Sequence, residues 1–424
     1  MIDIQLIREN SREVIERLKV RNMDAADLVE RVAEADSERR QMQKQLDDTL
    51  AESKVLARRI GELFKSGKGQ EAEDLKQESA RLKQQAKSLQ EKLDVVASGL
   101  NELMTRLPNI PHPSVPPGNT EADNEIVREE GEAEAAAPEA LPHWELTKKL
   151  DIIDFEAGTK ITGAGFPVYK GKGARLQRAL IAFFLDEAAK AGYTEIQPPL
   201  LVNADSAYGT GQLPDKDGQM YHVQSDDLYL IPTSEVPVTN LFRDTILKGD
   251  ELPVKYTAYS VCFRREAGSY GKDVRGLNRL HQFDKVEIVQ VTHPEKSYQA
   301  LDEMVDHVAA LLKKLELPFR VARLCGGDLG FAAALTFDLE VWSGAQGRWL
   351  EVSSVSNFET YQSHRLKLRY RSPEGRNLLA HTLNGSALAL PRIVAALLEN
   401  KQDQNGVIIP EVLRPYTGFD RIQE

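Results

Sequence analysis

The 424-residue sequence contains little cysteine and no long apolar segment. Its two cysteines, Cys262 and Cys325, form no CxxC pair, which makes a disulfide framework or a cysteine-rich zinc site a poor explanation of the chain. No apolar run approaches the roughly 18 residues needed to cross a bilayer, and the start, MIDIQLIREN, has no signal-peptide core. These absences predict a soluble, cytosolic protein without a membrane partner or a zinc cofactor.

The common phosphate-binding loops are also missing. Neither GxxxxGK[ST] nor a GxGxxG after a strand occurs, so a bound nucleotide would need another phosphate cradle than a P-loop or a Rossmann turn. With 65 acidic and 54 basic residues the formal net charge is -11. This charge is weak evidence against nucleic-acid binding, because a local basic face decides that question.

Residues 1–107 are predicted to form a helical domain. A short amphipathic helix over residues 1–26 precedes two long polar segments, residues 28–64 and 71–107, that are nearly free of glycine and proline. The second segment keeps an apolar heptad pattern at Leu75, Leu82, Leu89, Val96 and Leu103, with Ala86, Leu93, Leu100 and Leu107 at the alternate positions. A turn at residues 65–69 predicts a long antiparallel coiled-coil hairpin with arms of roughly 55 Å.

Basic side chains of this hairpin, including Arg58, Arg59, Lys76 and Arg81, are mixed with many acids. The pattern is compatible with the solvated flank of a coiled coil and with a basic arm that follows RNA phosphates. The proline-rich residues 108–117 end the helix, and residues 118–140 hold eight acidic residues against Arg128. Residues 108–140 are therefore predicted to be a proline-rich and acidic linker, of which residues 118–140 are exposed and partly disordered.

Residues 141–424 are predicted to form the compact domain, in which strands and helices mix without the regular alternation of a parallel sheet. Residues 258–264 and 281–291 are predicted as two strands that flank a 16-residue loop. The period of two places His281, Phe283, Lys285, Glu287 and Val289 on one face. Phe283 and Glu287 would then lie roughly 13 Å apart, which suits a stacked base at one end and a small amine at the other.

Four arginines, Arg264, Arg265, Arg275 and Arg279, could bind phosphate or carboxylate groups between these two ends. An ordinary hairpin with a solvated loop explains the same spacing. A second phosphate site is predicted where Gly385 and Ser386 start a helix that runs to about residue 400, with Arg392 in an early turn. The alternative there is a plain helix cap with a surface arginine.

The string FRREAGSYGKDVRGLNRLHQFDKVEIVQ, residues 263–290, resembles the second signature motif of class II aminoacyl-tRNA synthetases in the form found in bacterial-type seryl-tRNA synthetases. IQPPLLV (residues 196–202) resembles the first motif, with its proline best matched at Pro199, and NGSALALPR (residues 384–392) resembles the third. The resemblance covers nearly the whole chain. Departures from the common pattern occur at Arg265, Leu335, Val355, Thr360 and His364.

The resemblance implies an α+β fold: a class II antiparallel β-sheet catalytic domain flanked by helices, plus the N-terminal coiled-coil hairpin. It implies a homodimer with Pro199 at its interface. The implied activity is ligation of serine to tRNA: ATP and L-serine give seryl-adenylate, and serine passes to the 3′ end of tRNA(Ser) and, where the organism has it, tRNA(Sec). The hairpin would clamp the tRNA by shape and backbone contacts.

The resemblance also implies the site residues. Glu287 and Ser386 would meet the serine hydroxyl, and Arg264 would bridge the serine carboxylate and the α-phosphate of ATP. Phe283 would stack on adenine. The implied L-serine-binding residues are Thr233, Ser234, Glu235, Arg264, Glu287, Asn384 and Ser386. The implied ATP-binding residues are Arg264, Arg265, Glu266, Arg279, Leu280, Phe283, Glu351, Val352, Ser353, Ser354 and Arg392, of which Glu351 and Ser354 would bind Mg²⁺.

Two other functions fit parts of the sequence. A catalytically inactive synthetase-like tRNA-binding protein would be favoured by loss of Glu235, Arg264, Glu287 or Arg392, and all four are present. A ligase that loads amino acids onto a carrier protein would lack the long arm and use a zinc site. The predicted arm and the scarcity of cysteine disfavour that second alternative.

Overall fold

The computed structural model describes residues 1–134, 139–215, 218–266 and 275–424. The chain forms two compact units: one consists of Ile2–Lys19 and Met23–Pro108, and the other of Met1, Val20–Asn22 and Asn109–Glu424. No helix in the described ranges is long and apolar enough to cross a membrane. The division into residues 1–107, 108–140 and 141–424 remains a prediction.

The helical unit contains α1 (Ile4–Leu18), α2 (Ala26–Lys65) and α3 (Gly69–Thr105). The side chain of Asp3 caps α1 by accepting a hydrogen bond from the backbone N–H of Gln5 at 2.8 Å. The buried side chains of α1 lie on one stripe and are Ile7, Val14 and Leu18. The predicted amphipathic helix is therefore present, and it contacts α2.

The predicted helical hairpin is confirmed. Helix α2 ends at Lys65, Gly67 adopts a φ of +76°, and α3 begins at Gly69 and packs along α2. Along α3 the predicted heptad positions are the ones removed from solvent. The buried ones are Leu82, Ala86, Leu93 and Leu100, and the half-buried ones are Leu75, Leu89, Val96 and Leu103.

In the second unit short helices surround three long ones. The helices are α4 (His143–Lys149), α5 (Phe155–Ile161), α6 (Gly171–Lys190), α7 (Ala204–Thr210), α8 (Glu235–Asn240), α9 (Ser297–Lys314), α10 (Tyr361–Leu366), α11 (Leu390–Asn400) and α12 (Arg414–Thr417). The strands up to residue 263 are β1 (Glu125–Glu130), β2 (Ile153–Asp154), β3 (Val168–Tyr169), β4 (Thr194–Glu195), β5 (Leu201–Val202), β6 (His222–Val223), β7 (Leu228–Leu230), β8 (Ile246–Lys248) and β9 (Val254–Phe263). The later strands are β10 (Gln282–Thr292), β11 (Phe319–Arg323), β12 (Leu335–Ser343), β13 (Arg348–Asn357), β14 (Arg369–Arg371), β15 (Asn377–Leu379), β16 (His381–Ala389), β17 (Gln402–Asp403), β18 (Gly406–Ile408) and β19 (Arg421–Ile422).

Eight of these strands form the main sheet, in the order β1-β11-β12-β13-β16-β10-β9-β4. All neighbouring pairs are antiparallel except β4 with β9. Because side chains alternate along a strand, Ile288, Val352 and Leu383 reach the core against α6, α9 and α11. Their neighbours Glu287 and Glu351 therefore lie on the opposite face. The predicted antiparallel α+β fold is confirmed, and the candidate site lies on this second face.

The predicted hairpin around residues 258–291 is present as β9 and β10, which pair antiparallel. Of the loop between them, residues 267–274 lie outside the described residues. A second antiparallel hairpin is formed by β12 and β13. It turns at Gly347, which has a φ of +62° and whose N–H donates to the carbonyl of Ser343 at 2.8 Å.

The predicted helix start at Gly385 and Ser386 is wrong. Both residues lie in β16, which pairs with β10 and β13, and the helix α11 begins only at Leu390. A Cβ at residue 385 would stand 3.2 Å from both methyl groups of Val355, so glycine allows a close approach between β16 and β13. Sequence reasoning mistook a glycine at a close strand contact for part of a helix cap.

The prediction of partial disorder is wrong for Glu125–Glu130, although most of these residues are exposed as predicted. These residues form β1, which pairs antiparallel with β11 at the edge of the main sheet. Arg128 on this strand pairs with Asp306 at 2.9 Å. Edge strands tolerate the high charge that made this segment resemble a disordered one, since one side of the strand faces water.

Candidate active site

The buried acidic end of the site is built by the pairing of β10 with β16. Their register places Glu287 opposite Ser386 and Val289 opposite Asn384. The Asn384 amide donates to Glu287 Oε1 at 3.0 Å, and the Ser386 hydroxyl donates to Oε2 at 3.4 Å. Glu287 is only 1% exposed. The structure therefore brings together three of the predicted serine-binding residues, with a carboxylate at their centre.

Lys285 supplies the buried positive charge at this end. Its Nζ lies 2.6 Å from Glu287 Oε2, and its side chain is 5% exposed. Buried lysines are rare unless paired, so the pair compensates both charges. The alternation of β10 placed Lys285 on the site face, but sequence reasoning gave it no role. The missed signal was a lysine two residues from a carboxylate, on the strand face that was predicted to carry the site.

Glu235, the first residue of α8, is the second buried carboxylate of this end. Burial, followed by the charge of Glu287, raises the pKa of Glu235 to about 7. The Gln362 amide donates to Glu235 Oε1 at 2.7 Å and in turn accepts from the Thr382 hydroxyl at 2.7 Å. Gln362 thus orients Glu235, and the sequence analysis did not assign it to the site.

Thr233 and Ser234 immediately precede α8 and are both buried. The Thr233 hydroxyl accepts from the backbone N–H of Glu235 at 3.2 Å. The Ser234 hydroxyl donates to the carbonyl of Ala258 on β9 at 3.3 Å. Both side chains therefore hold the start of α8 against the sheet, and the hydroxyl of Ser234 is engaged with the backbone.

Arg264 lies between the acidic end and the aromatic end. Its guanidinium stands 5.3 Å from the centre of the Phe283 ring, and its positive charge lowers the pKa of Glu235, against the effect of burial. Its backbone N–H donates to the carbonyl of His281 at 2.9 Å, which closes the end of the β9–β10 ladder. Arg265 points elsewhere, because its guanidinium lies 5.7 Å from the ring of Tyr221.

The remaining predicted cations lie where the loop returns to the sheet and where α11 begins. Arg279 forms an ion pair with Glu266. Arg392, in the first turn of α11, donates to the carbonyl of Asn278 at 3.0 Å and to the carbonyl of Glu351 at 2.6 Å. Arg392 therefore joins the returning loop to β13, and the two sequence-predicted phosphate sites meet at this residue.

Oxygen ligands for a cation lie on β12 and β13. Glu351 is half-exposed, and Ser354, three residues along the strand, donates to the half-buried Asp338 opposite it. Burial and the nearby charge of Glu351 raise the pKa of Asp338 well above its ordinary value. The sequence analysis did not assign Asp338 to the site, because only the pairing of β12 with β13 places it opposite Ser354. In the described part of the chain, no three His, Cys, Asp or Glu residues cluster closely enough to hold a metal.

The structure does not gather every predicted ATP-binding side chain. Leu280 and Val352 are buried in the hydrophobic core, so only their backbone atoms could contact a nucleotide. The Ser353 hydroxyl donates to the carbonyl of Ser386.

Outside the cleft, Pro199 is exposed next to the exposed Leu200 and Leu201. The arm residues predicted to contact tRNA, all exposed on α2 or α3, are Arg58, Arg59, Lys76 and Arg81.

Comparisons with known proteins agree with this architecture. Residues 221–401 match the family described as tRNA synthetase class II core domain (G, H, P, S and T), and residues 1–111 match the seryl-tRNA synthetase N-terminal domain. A serine–tRNA ligase of Salinibacter ruber is 52% identical over 100% of this chain and 99% of its own length.

Two solved structures are similar over 100% of this chain and 99% of their own. One is seryl-tRNA synthetase from Pyrococcus horikoshii complexed with ATP, with a TM-score of 0.91 and 34% identity. The other is cytoplasmic serine–tRNA ligase from Naegleria fowleri in complex with AMP, with a TM-score of 0.87 and 32% identity.

The antiparallel sheet, with its arginines and carboxylates on one face, is that of a class II aminoacyl-tRNA synthetase. Within that class, the chain belongs to the seryl-tRNA synthetase family. The predicted activity, ATP-dependent ligation of serine to tRNA, is confirmed at the level of the family. The alternative of a catalytically inactive relative is not favoured.

Proposed function

We propose that the cleft on the open face of the main sheet activates L-serine with ATP and transfers the serine to tRNA. The observation that carries this proposal is the buried carboxylate of Glu287. It accepts hydrogen bonds from Asn384 and Ser386, pairs with Lys285, and lies near the second carboxylate of Glu235. Such a pocket fits a small ligand that carries both an ammonium group and a hydroxyl.

Serine recognition follows from the chemistry of this pocket. The ammonium group of serine is bound by the carboxylate of Glu235, with Thr233 nearby. The serine hydroxyl hydrogen-bonds to Glu287 and Ser386. Alanine lacks the hydroxyl and would leave buried polar groups without a partner, which costs on the order of 1–3 kcal/mol per group. Threonine carries one additional methyl group and has to be excluded by the size of the pocket.

ATP is bound along the arginines. Arg264, which lies between Phe283 and the acidic end, bridges the serine carboxylate and the α-phosphate. Adenine stacks on Phe283, and Glu266 meets the adenine end. Arg279 and Arg392 bind the outer phosphates, so ATP replaces their present acidic partners, Glu266 and Glu351.

A divalent cation fits the oxygen atoms of Glu351 and Ser354, with Asp338 behind Ser354. Burial and the neighbouring carboxylate of Glu351 raise the pKa of Asp338. When bound, Mg²⁺ would neutralise phosphate charge. The Ser354 hydroxyl is held in place by its hydrogen bond to Asp338, and Arg392 holds the backbone carbonyl of Glu351.

The chemical step needs positioning more than proton transfer. The serine carboxylate attacks the α-phosphorus of ATP in line, the bond to pyrophosphate breaks, and seryl-adenylate forms. Arg264 stabilises the negative charge that develops on the α-phosphate. The 3′-terminal ribose hydroxyl of the tRNA then attacks the acyl carbonyl, and AMP leaves.

The substrate of the second step is tRNA(Ser), with tRNA(Sec) as a further substrate where it exists. The hairpin of α2 and α3 contacts the tRNA backbone through Arg58, Arg59, Lys76 and Arg81, although Lys76 and Arg81 also pair with neighbouring glutamates. The exposed apolar strip of Pro199, Leu200 and Leu201 meets a second copy of the chain in a homodimer. The enzyme acts in the cytoplasm, and residues 1–107 and 141–424 are its tRNA-binding and catalytic domains.

The adenylation step can be tested without tRNA by exchange of labelled pyrophosphate into ATP. We expect exchange with serine, at least about 100-fold weaker exchange with alanine, and loss of exchange in Glu287→Ala, because a buried site for a hydroxyl rejects ligands that lack it. Glu303→Ala is the matched control, since Glu303 is exposed on α9. A folded chain that binds tRNA but exchanges with no amino acid would overturn the proposal.

A further inference from the structure

A buried cluster that the proposed mechanism does not use lies against residues 275–280, the part of the β9–β10 loop that returns to the sheet. Its centre is Glu399, in the last turn of α11, whose side chain is completely buried together with that of His143. Glu399 Oε1 accepts from the backbone N–H of His143 at 3.0 Å and from the Gln346 amide at 3.0 Å. Its Oε2 accepts from the Ser343 hydroxyl.

His143 links this carboxylate to the loop. The backbone N–H of Leu277 donates to His143 Nε2 at 2.8 Å, so Nε2 is unprotonated and Nδ1 carries the hydrogen. That Nδ1–H donates to Glu399 Oε1 at 2.7 Å. Although burial opposes it, these hydrogen bonds from His143 and Ser343 hold the pKa of Glu399 below its ordinary value. The carboxylate is ionised and fixes the tautomer of His143.

A second route runs from Glu399 to the same loop. Gln346, whose amide donates to Glu399, uses its own oxygen to accept from the Asn278 amide at 2.9 Å. The carbonyl of Asn278 then accepts from Arg392 at 3.0 Å. Both routes end within two residues of Arg279, so Glu399 is joined to the two arginines that the proposed function assigns to the outer phosphates.

The loop backbone is fitted closely to His143. Gly276 has a φ of +63°, and a Cβ at this position would stand 2.2 Å from His143 Nε2. No side chain other than hydrogen fits there, and the backbone conformation is one that glycine adopts without strain. A glycine at residue 276 therefore allows the loop backbone to approach His143 this closely.

We propose that His143 and Glu399 are positioning residues for ATP: they hold the backbone of residues 276–278, and through it Arg279 and Arg392, in the geometry that binds the outer phosphates. This inference rests on the proposed function, since it concerns the same nucleotide site. His143 acts through the loop and does not touch the nucleotide. Its loss is therefore expected to weaken ATP binding while serine binding stays intact.

Two substitutions of His143 separate its two hydrogen bonds. The amide of His143→Asn ends near the Nδ1 position and keeps the bond to Glu399, but it leaves the Leu277 N–H without an acceptor. The longer amide of His143→Gln reaches the Nε2 position and keeps that acceptor. In pyrophosphate exchange with serine we expect KM for ATP to rise about 10-fold in His143→Asn and less than about 3-fold in His143→Gln. KM for serine should stay within about twofold in both variants.

Gln346→Leu removes the half-buried amide that connects Glu399 to Asn278. We expect this substitution also to raise KM for ATP selectively. His307→Asn is the control, because His307 is a half-buried histidine on α9 whose ring centre lies 5.9 Å from that of Tyr193. It should lower Tm but not change KM for ATP. If His143→Asn does not fold, the KM for ATP of Gln346→Leu alone tests the inference.

Unchanged KM for ATP in the folded variants, or an equal rise in KM for ATP and for serine, would overturn the inference. The unmodified enzyme distinguishes the two proposals. If it shows no serine-dependent exchange, the proposed function fails and this inference fails with it. If it exchanges normally while the variants keep their KM for ATP, only the inference fails.

Discussion

The two ends of the candidate site differ in their exposure to water. At the proposed serine end, Glu287 and Glu235 are 1% and 6% exposed. At the proposed phosphate end, the side chains of Arg279 and Glu351 are 43% and 49% exposed. A small ligand is distinguished by hydrogen bonds in a dry pocket, where an unmatched group is costly. A large, highly charged ligand can be bound by several exposed cations, each of which contributes less binding free energy than a hydrogen bond in the buried pocket.

Arg264 belongs to both ends, so its loss should have the largest effect. We expect Arg264→Ala to lower kcat/KM in serine-dependent pyrophosphate exchange by about 10³-fold, since the charge that stabilises the developing phosphate is removed. Arg264→Lys keeps the charge but loses the planar fork, and it should recover only part of the activity. A loss of less than about 10-fold in Arg264→Ala would show that the two ends work independently of this residue.

The pH dependence of serine binding tests the role of Glu235 at the buried end of the site. Its pKa of about 7 lies above the ordinary value of 4.5, so the charge that would bind the serine ammonium is present only above about pH 7. KM for serine in the unmodified enzyme should therefore fall as the pH rises from 6 to 8. The same raised pKa stabilises the folded state at pH values below 4.5, and this contribution is lost as the pH rises through 7.

Glu235→Gln should raise KM for serine by about 10- to 100-fold and remove its change between pH 6 and 8. Steady-state exchange across that range measures both effects. Gln362→Leu should give a smaller rise in KM, because it removes only the group that orients Glu235. A pH-dependent KM that survives in Glu235→Gln would assign the titration to another group.

Arg279 tests the exposed end and should give the smallest effect. Because this side chain is partly solvated and paired with Glu266, Arg279→Ala is expected to raise KM for ATP only a few-fold. The effect should shrink when the ionic strength is raised, since salt screens exposed charges. An increase of 100-fold, or one that is independent of salt, would contradict the difference between the two ends.

Local sequence patterns predicted the elements whose stability is local. The heptad positions of α3, from Leu75 to Leu103, are half-buried or buried as the pattern required. The alternation on β10 correctly separated Glu287 from the core residues Val286 and Ile288. Both results rest on a period that each segment carries by itself.

Predictions failed where a segment depends on distant partners. Nothing within residues 384–392 distinguishes a helix start at Gly385 from a strand, because the close contact of Gly385 with Val355 comes from β13. Similarly, the charges of β1 conceal a strand that exists only because β11 offers it an edge. Long-range pairing overrides local propensity in both segments.

The residues missing from the predicted site have the same explanation. Asp338 and Gln362 acquire their significance from partners on other elements, Ser354 and Glu235, and Lys285 acquires its significance from the burial of its pair with Glu287. The resemblance of the motifs supplied the residues that would contact ligands. It did not supply the residues that hold those contacts in place.

The sequence by itself determined the helical arm, the hairpin of β9 and β10, the family and most of the residues expected to bind serine and ATP, because these are encoded in local periods and contiguous motifs. The tertiary structure decided where α11 begins, that residues 125–130 join the sheet, and that Glu399 reaches the loop through His143 and Gln346. Those features depend on register and on burial, which arise only when segments far apart in the chain pack together.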